Sequence, residues 1–461
     1  MINRLLSYSL LALALLTANA QNIHRTACSG DLVRLDSMLQ HSDLHVLDDR
    51  GRTLLHWAVG CNKKVVFDTL VARGIEINKL DNDGHSALYV ALQFNRDTLM
   101  EKLITLQQND QWIAEQGGLL MERAILDQKL TYVQTLIEKG VDIEQVNERG
   151  STPLELANRV DAREISSWLL ANGADPSKVR EFTAAGPYMG QSPPGQKSVV
   201  FAPNFISTEE YEYGSVFNKA GTEFYYAIAK NDFPVIRYTH LVNGSWTAPK
   251  TILADERYGY NDPFLSPDED RLYFISKRSL DGTEIKDDHD IWYVEKTSEG
   301  SWSEPINAGP NINSEGNEYY ISFTKSGTMY FASNVNAPEE RKRSDQDIYY
   351  APMVEGEFQE AVNLGDSINT EHYEADVFVD PEESYLIFCA TRPEGMGRGD
   401  LYISFKNEDD SWSKAQNMGT AVNTEGHELC PFVTADGKYL FYTSQQDIVW
   451  ISTSIFDQLR E

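Results

Sequence analysis

The chain has 461 residues, 41% of them apolar and 24% charged, which supplies material for packed cores and excludes a wholly disordered polymer. Its 70 acidic residues against 40 lysines and arginines give a formal net charge of −30, which repels phosphate backbones. Nucleic acid is therefore not expected as a partner.

The first twenty residues read as a signal peptide. Met1-Ile2-Asn3-Arg4 is a short positive start, Leu5 to Thr17 an apolar run, and Ala18-Asn19-Ala20 a small-x-small cleavage pattern that leaves Gln21 first in the mature chain. The run is shorter than the roughly 20 residues of a membrane span. No later stretch is long and apolar enough to be one. The expectation is an exported protein, periplasmic or secreted, with no membrane span after cleavage. Four cysteines, Cys28, Cys61, Cys389 and Cys430, fall two to each half. Export permits disulfides. Sequence leaves open pairing within each half or four buried thiols.

The next segment repeats every 33 residues. Gly51, Gly84, Gly117 and Gly150 keep that spacing, as do Ala58, Ala91, Ala124 and Ala157, and Leu70, Leu103, Leu136 and Leu169. Asp49-Arg50-Gly51 and Asn82-Asp83-Gly84 are turn signals. Gly74, Gly140 and Gly173 suit helix C-terminal stops. Thr53-Leu54-Leu55-His56-Trp57-Ala58 and Thr152-Pro153-Leu154-Glu155-Leu156-Ala157 resemble the opening helix of ankyrin repeats, whose period is about 33. The third and fourth units depart from that opening. The resemblance covers about 24–178, within a domain spanning 21–180. It implies an all-α solenoid of four regular units and a shorter first one, with a concave binding surface. It also implies a structural hydrogen-bonding role for His56.

Residues 181–197, rich in Gly, Pro and Ser, read as a linker. From 198 to 461 the pattern changes to short strands on a period of 50-odd residues. One column holds Phe224-Tyr225-Tyr226, Leu272-Tyr273-Phe274, Met329-Tyr330-Phe331, Leu386-Ile387-Phe388 and Leu440-Phe441-Tyr442. Turn segments such as Ser266-Pro267-Asp268 precede it. Asp290-Ile291-Trp292 and its relatives follow, then Ser245-Trp246, Ser301-Trp302 and Ser411-Trp412, with Phe358 in the remaining place. Four strand signals repeated five times predict a radial all-β propeller. The units resemble the WD-like repeats of TolB-type propellers, most closely at Thr391-Arg392-Pro393-Glu394-Gly395-Met396-Gly397-Arg398-Gly399-Asp400. The fifth unit lacks its outer strand, and Ser198-Val199-Val200-Phe201 is expected to supply it. Five blades are expected, with six as the alternative.

Two groups of residues are site candidates. Glu212, Glu318, Glu374 and Glu428 occupy one column at the strand starts, with Tyr260 in the remaining unit; Asp262 and Asp376 lie two positions on, and His372 and His427 sit alongside. Four carboxylates converging on a channel would repel unless a cation such as Ca²⁺ relieved them; the plainer reading is a repeated structural device that needs no cofactor. The loops 277–289, 334–346 and 391–399 are long, share the strand-start face and carry Arg278, Arg341, Arg343, Arg392 and Arg398.

No nucleophile elbow, zinc-protease pair or phosphate loop is present. The leading expectation is therefore an exported scaffold that binds another protein, in the cell envelope by analogy with the resembled propellers, with no catalytic residue. The alternative is a propeller-type glycan lyase or hydrolase holding a divalent cation near the channel. A third reading leaves all binding to the ankyrin array.

Overall fold

The computed structural model of the chain describes residues 23–106, 110–230, 233–298, 300–338 and 345–460. The signal-peptide segment, Arg341 and Arg343 lie outside the described residues. Two compact units meet at the Glu181/Phe182 boundary.

The first unit is a stack of helix pairs. Residues 23–29 and Leu32–Leu39 form the short opening pair. Leu54–Gly60 with Lys64–Ala72, Ala87–Gln93 with Asp97–Leu106, Gly117–Leu126 with Leu130–Glu138, and Pro153–Arg159 with Arg163–Ala171 complete it. The alanine column is fully buried at all four positions, which lets helices approach without a large side chain between them. The leucine column is buried beside it. Thr53, Ser86 and Thr152 cap their helices by accepting backbone N–H bonds. After Gly74, Gly140 and Gly173 the chain closes each second helix with bonds such as Ile75 N to the Leu70 carbonyl, 3.2 Å. His56 works inside this frame: its Nδ1 accepts from the Thr53 amide, and its Nε2 donates to the His85 carbonyl, 3.1 Å. One member of the glycine column differs. Gly117 opens a helix instead of taking a left-handed turn, because Asp110–Glu115 forms an additional helix just before it.

Cys28 and Cys61, one repeat apart, form a disulfide. Cys389 and Cys430 are buried free thiols. The pairing left open by the sequence is thus one bridge in the first unit and none in the second.

The second unit is a five-bladed propeller. The first blade is Tyr211–Phe217, Glu223–Ala229, Val235–Val242 and Lys250–Leu253. The second is Asn261–Leu265, Arg271–Arg278, Ile285–Glu295 and Ile306–Asn307. The third is Glu318–Phe323, Met329–Ser333, Asp347–Ala351 and Val362–Asn363. The fourth is Tyr373–Val379, Tyr385–Thr391, Asp400–Phe405 and Gln416–Asn417. The fifth is Leu429–Val433, Tyr439–Ser444 and Asp447–Ser452, completed by Val199–Val200, which pairs antiparallel with Trp450 and Val449. The borrowed strand removes the last blade's open edge and clasps the ring.

Residues 182–197 are not a free connector. Ala185 bridges Ser245, Trp246 donates to the Ala184 and Gly186 carbonyls, and Tyr188 packs among Phe217, Tyr439 and Trp450. The glycines and prolines that signal a linker here shape a strap bound to the propeller.

Candidate functional site

The five innermost strands share a feature that the sequence pattern did not reveal. In each, the pairing slips by a bulge, and the residue at the slip takes a left-handed backbone: Gly214 (φ 57°), Asp262 (49°), Tyr320 (45°), Asp376 (51°) and Cys430 (54°). Only one is a glycine, and there a Cβ would lie 3.1 Å from both Asp262 Cα and Asp262 Oδ1. Left-handed backbone at the other four costs on the order of 1 kcal/mol each. The bulges turn these side chains onto the propeller axis. Tyr320 donates to the Pro431 carbonyl two blades away, 2.8 Å, and the Cys430 thiol lies 3.6 Å from Asp262 Oδ1. The axis is filled at this level.

Two buried carboxyls therefore share the axis. Burial, with the Asp376 charge adding, pushes Asp262 up to about 8. Burial pushes Asp376 up to about 6, against a hydrogen bond from the Cys430 amide. Both hold a proton more tightly folded than unfolded, so their contribution to stability is greatest in acid and is lost as pH rises through those values. Between pH 7 and 8 Asp376 is already ionised, and His56, His289 and His427, all lowered by burial, are uncharged in the folded state. The propeller's stability should fall across that window, with Asp262 acting together with the buried Glu212 and Glu318, whose protonated forms burial also favours. Asp262→Asn should make the fall shallower, measured as urea midpoints at pH 7, 7.5 and 8. An unchanged slope in the variant would refute this assignment.

Toward the strand ends, all five blades line an apolar funnel of about 330 Å³ walled by Phe217, Phe264, Phe323, Phe378 and Phe432. Toward the strand starts lies a second cavity of about 540 Å³. His372, His427, Arg398, Tyr373, Asp345 and Glu371 line it. The structure thus brings the two sequence-selected histidines together with one of the selected arginines. His427 Nε2 lies 3.5 Å from the Cys389 thiol, and Arg398 stands exposed at the rim, making no ion pair among the described residues.

The glutamate column has a different use. Glu212, Glu318, Glu374 and Glu428 are fully buried. Each accepts from the amide and hydroxyl of the Ser or Thr four residues earlier: Thr208, Ser314, Thr370 and Thr424. Ser333, Arg392 and Ser444 donate to the last three. Burial raises Glu212 well above the carboxylate range and Glu318 to about 7. The four do not converge. Among the described residues, the one set of three ligating groups lying within 4.8 Å of one another is Asp81, Asp83 and His85, in an ankyrin turn. The Asn-Ser/Thr pair that closes each unit is the sequence signal that could have shown the column to be intrablade bracing.

Two selected arginines also turn inward. The Arg392 guanidinium, 6% exposed, pairs with Glu374 at 3.1 Å, donates to the Ile368 carbonyl and lies over the Tyr402 ring. Arg278 lies against Tyr258 and Trp292. The loop expected at 277–289 is mostly strand, a hairpin arm reaching out through Arg278 and Ile285 with its tip at 279–284. Its apolar residues point into water: Leu280 is 76% and Ile285 57% exposed. Val335 and Met396, on the neighbouring loops of the same face, are 42% and 40% exposed.

The architecture defines a class: a repeat protein that couples an ankyrin array to a five-bladed propeller. The ankyrin repeats family matches residues 23–111 in three copies. An ankyrin repeat protein of Fowlpox virus (strain NVSL) is 30% identical over 118 residues, 25% of this chain and 82% of that protein. The chain belongs to the ankyrin-repeat proteins. An L-asparaginase of Dirofilaria immitis is 26% identical over 160 residues, and the chain spans 27% of its length. The solved human ASB11 ankyrin repeat domain aligns with a TM-score of 0.29 and 19% identity, over 33% of this chain and 69% of that one. No helix among the described residues is long and apolar enough to cross a membrane.

Proposed function

We propose that the protein is an exported scaffold that grips a partner protein through the strand-start face of its propeller, with the ankyrin array as a second binding surface. The observation that carries this reading is the ring of loops on that face. Leu280, Ile285, Val335 and Met396 are exposed on loops of the same face as the cavity that the exposed Arg398 lines. Apolar side chains held out on neighbouring loops, with a polar rim, are the composition of an interface. The Cys28–Cys61 disulfide supports export, because such bridges persist in oxidising compartments. A partner of the cell envelope fits that setting.

The test is a crosslinking pull-down with the mature chain from the envelope fraction of the exporting cell. A Leu280→Asp, Met396→Asp double variant runs alongside, its fold checked by circular dichroism. A partner held by the parent and lost by the variant supports the reading. A partner kept equally by both refutes it and moves the site to the ankyrin surface.

A further inference from the structure

The propeller has five seams between blades, and four are filled by an aromatic side chain near the strand-end face. Trp302 packs on Tyr225 between the first and second blades, ring centroids 6.3 Å apart. Trp412 is buried with Tyr330 between the third and fourth. Phe456, on the C-terminal 3₁₀ helix Thr453–Gln458, packs on Tyr385 between the fourth and fifth at 5.3 Å. Tyr188 of the strap fills the seam between the fifth and first. In the seam between the second and third blades Tyr273 meets Phe323, ring centroids 5.0 Å apart, but Phe358 stands in the tryptophan column, no strap arrives among the described residues, and a cavity of about 620 Å³ remains beside the two rings.

The open seam corresponds position for position to the seam that the strap fills, with several residues exchanged: where Tyr188 meets Trp450 at 5.4 Å, the open seam has Tyr293, with the Arg271 guanidinium 4.7 Å over its ring. Around Tyr188 the chain uses five further groups. Asp436 accepts its hydroxyl at 3.4 Å; Tyr439 and Phe441 lie three and five residues on; Phe217 faces from the next blade; Gly244 accepts the Gly186 amide at 2.9 Å. The cavity presents Asp268, Arg271, Tyr273, Phe323 and Gly356 in those places, with Met353 where the first blade has Leu241. The local bonding repeats too. Ser266 donates to Asp268 as Thr434 does to Asp436, and Met353 pairs with Phe358 as Leu241 pairs with Trp246.

We propose that the seam between the second and third blades is a binding site for an extended peptide segment of a partner protein that presents a tyrosine. The strap shows the mode: backbone bonds along the outer hairpin, an aromatic ring in the seam, and a phenol donating to the turn aspartate. At the open seam the ring packs against Tyr273 and Phe323, the hydroxyl reaches Asp268, and the peptide amide takes the Gly356 carbonyl. The site is separate from the loop face and stands on its own geometry.

The probe is a labelled synthetic peptide with the sequence of residues Thr183–Gln191, titrated into the full chain by fluorescence anisotropy. Saturable binding is expected, weakened roughly tenfold or more when the peptide tyrosine becomes alanine. Phe358→Trp should close the seam and weaken binding at least as much. Asp268→Asn, at an exposed turn position, carries the test should Phe358→Trp disturb the fold. It should weaken the tyrosine peptide and leave the phenylalanine peptide unchanged. Absence of saturable binding, or binding insensitive to both variants, overturns the proposal. Sensitivity to Asp436→Asn instead also overturns it, by showing exchange with the chain's own strap. The loop-face double variant should bind the peptide like the parent, so failure here and failure of the loop-face reading are distinct.

Discussion

Phe201→Ala should destabilise the propeller by about 4 kcal/mol. Phe201 directly follows the borrowed strand and is fully buried where the ring closes. Its amide bonds the Ile448 carbonyl at 2.8 Å. Its ring lies 4.9 Å from Phe441 and 5.3 Å from Trp450 of the fifth blade, and 5.5 Å from Phe224 and 6.0 Å from Phe217 of the first. Truncation therefore opens a cavity between the two blades that the clasp joins, and neither can move in to fill it without breaking the strand pairing. Urea unfolding of the 182–461 unit reads the effect. Val199→Ala, at a position 40% exposed on the same strand, should change stability by less than about 0.5 kcal/mol. A Phe201→Ala cost below about 1 kcal/mol would show that closure is carried elsewhere.

Removing the ankyrin disulfide should cost about 3 to 4 kcal/mol. Cys28 and Cys61 are 33 residues apart, so the bridge closes a loop of one full repeat and limits the unfolded chain accordingly. It also ties the opening helix pair, the first among the described residues, to the first regular pair. Cys28→Ser with Cys61→Ser should therefore act at the N-terminal end. Hydrogen exchange over 23–39 should rise most, with little change over 153–171. Dithiothreitol should reproduce the effect in the parent and do nothing further to the variant. The propeller midpoint should not move, since Cys389 and Cys430 are already free. Equal loss of protection across the whole array would contradict the local role.

What the sequence made legible follows from local chemistry and burial. The 33-residue columns mark the core because a solenoid buries the same position in every repeat: Ala58, Ala91, Ala124 and Ala157 are all fully enclosed. The clasp was legible because the fifth unit ends one strand short and Val199-Val200 offers a strand with no other partner. The axis was not legible. A bulge has no spacing signature, and Asp262, Tyr320, Asp376 and Cys430 are not residues that advertise a left-handed backbone. The arginines misled for a related reason. Residue type shows charge but not direction, and only the fold shows Arg392 turned onto Glu374 while Arg398 faces out. The strap at 182–197 carries linker composition, and its docking depends on Trp246 and Trp450, which are distant in sequence.

The loop face of the propeller is the centre of the functional reading, and hydrogen exchange on the crosslinked partner complex tests it most directly. The reading predicts new protection over 279–285 and 391–399, with the ankyrin turns at 48–52 and 81–85 changing less. Protection confined to the ankyrin turns, with both propeller loops exchanging as in the free chain, would contradict it.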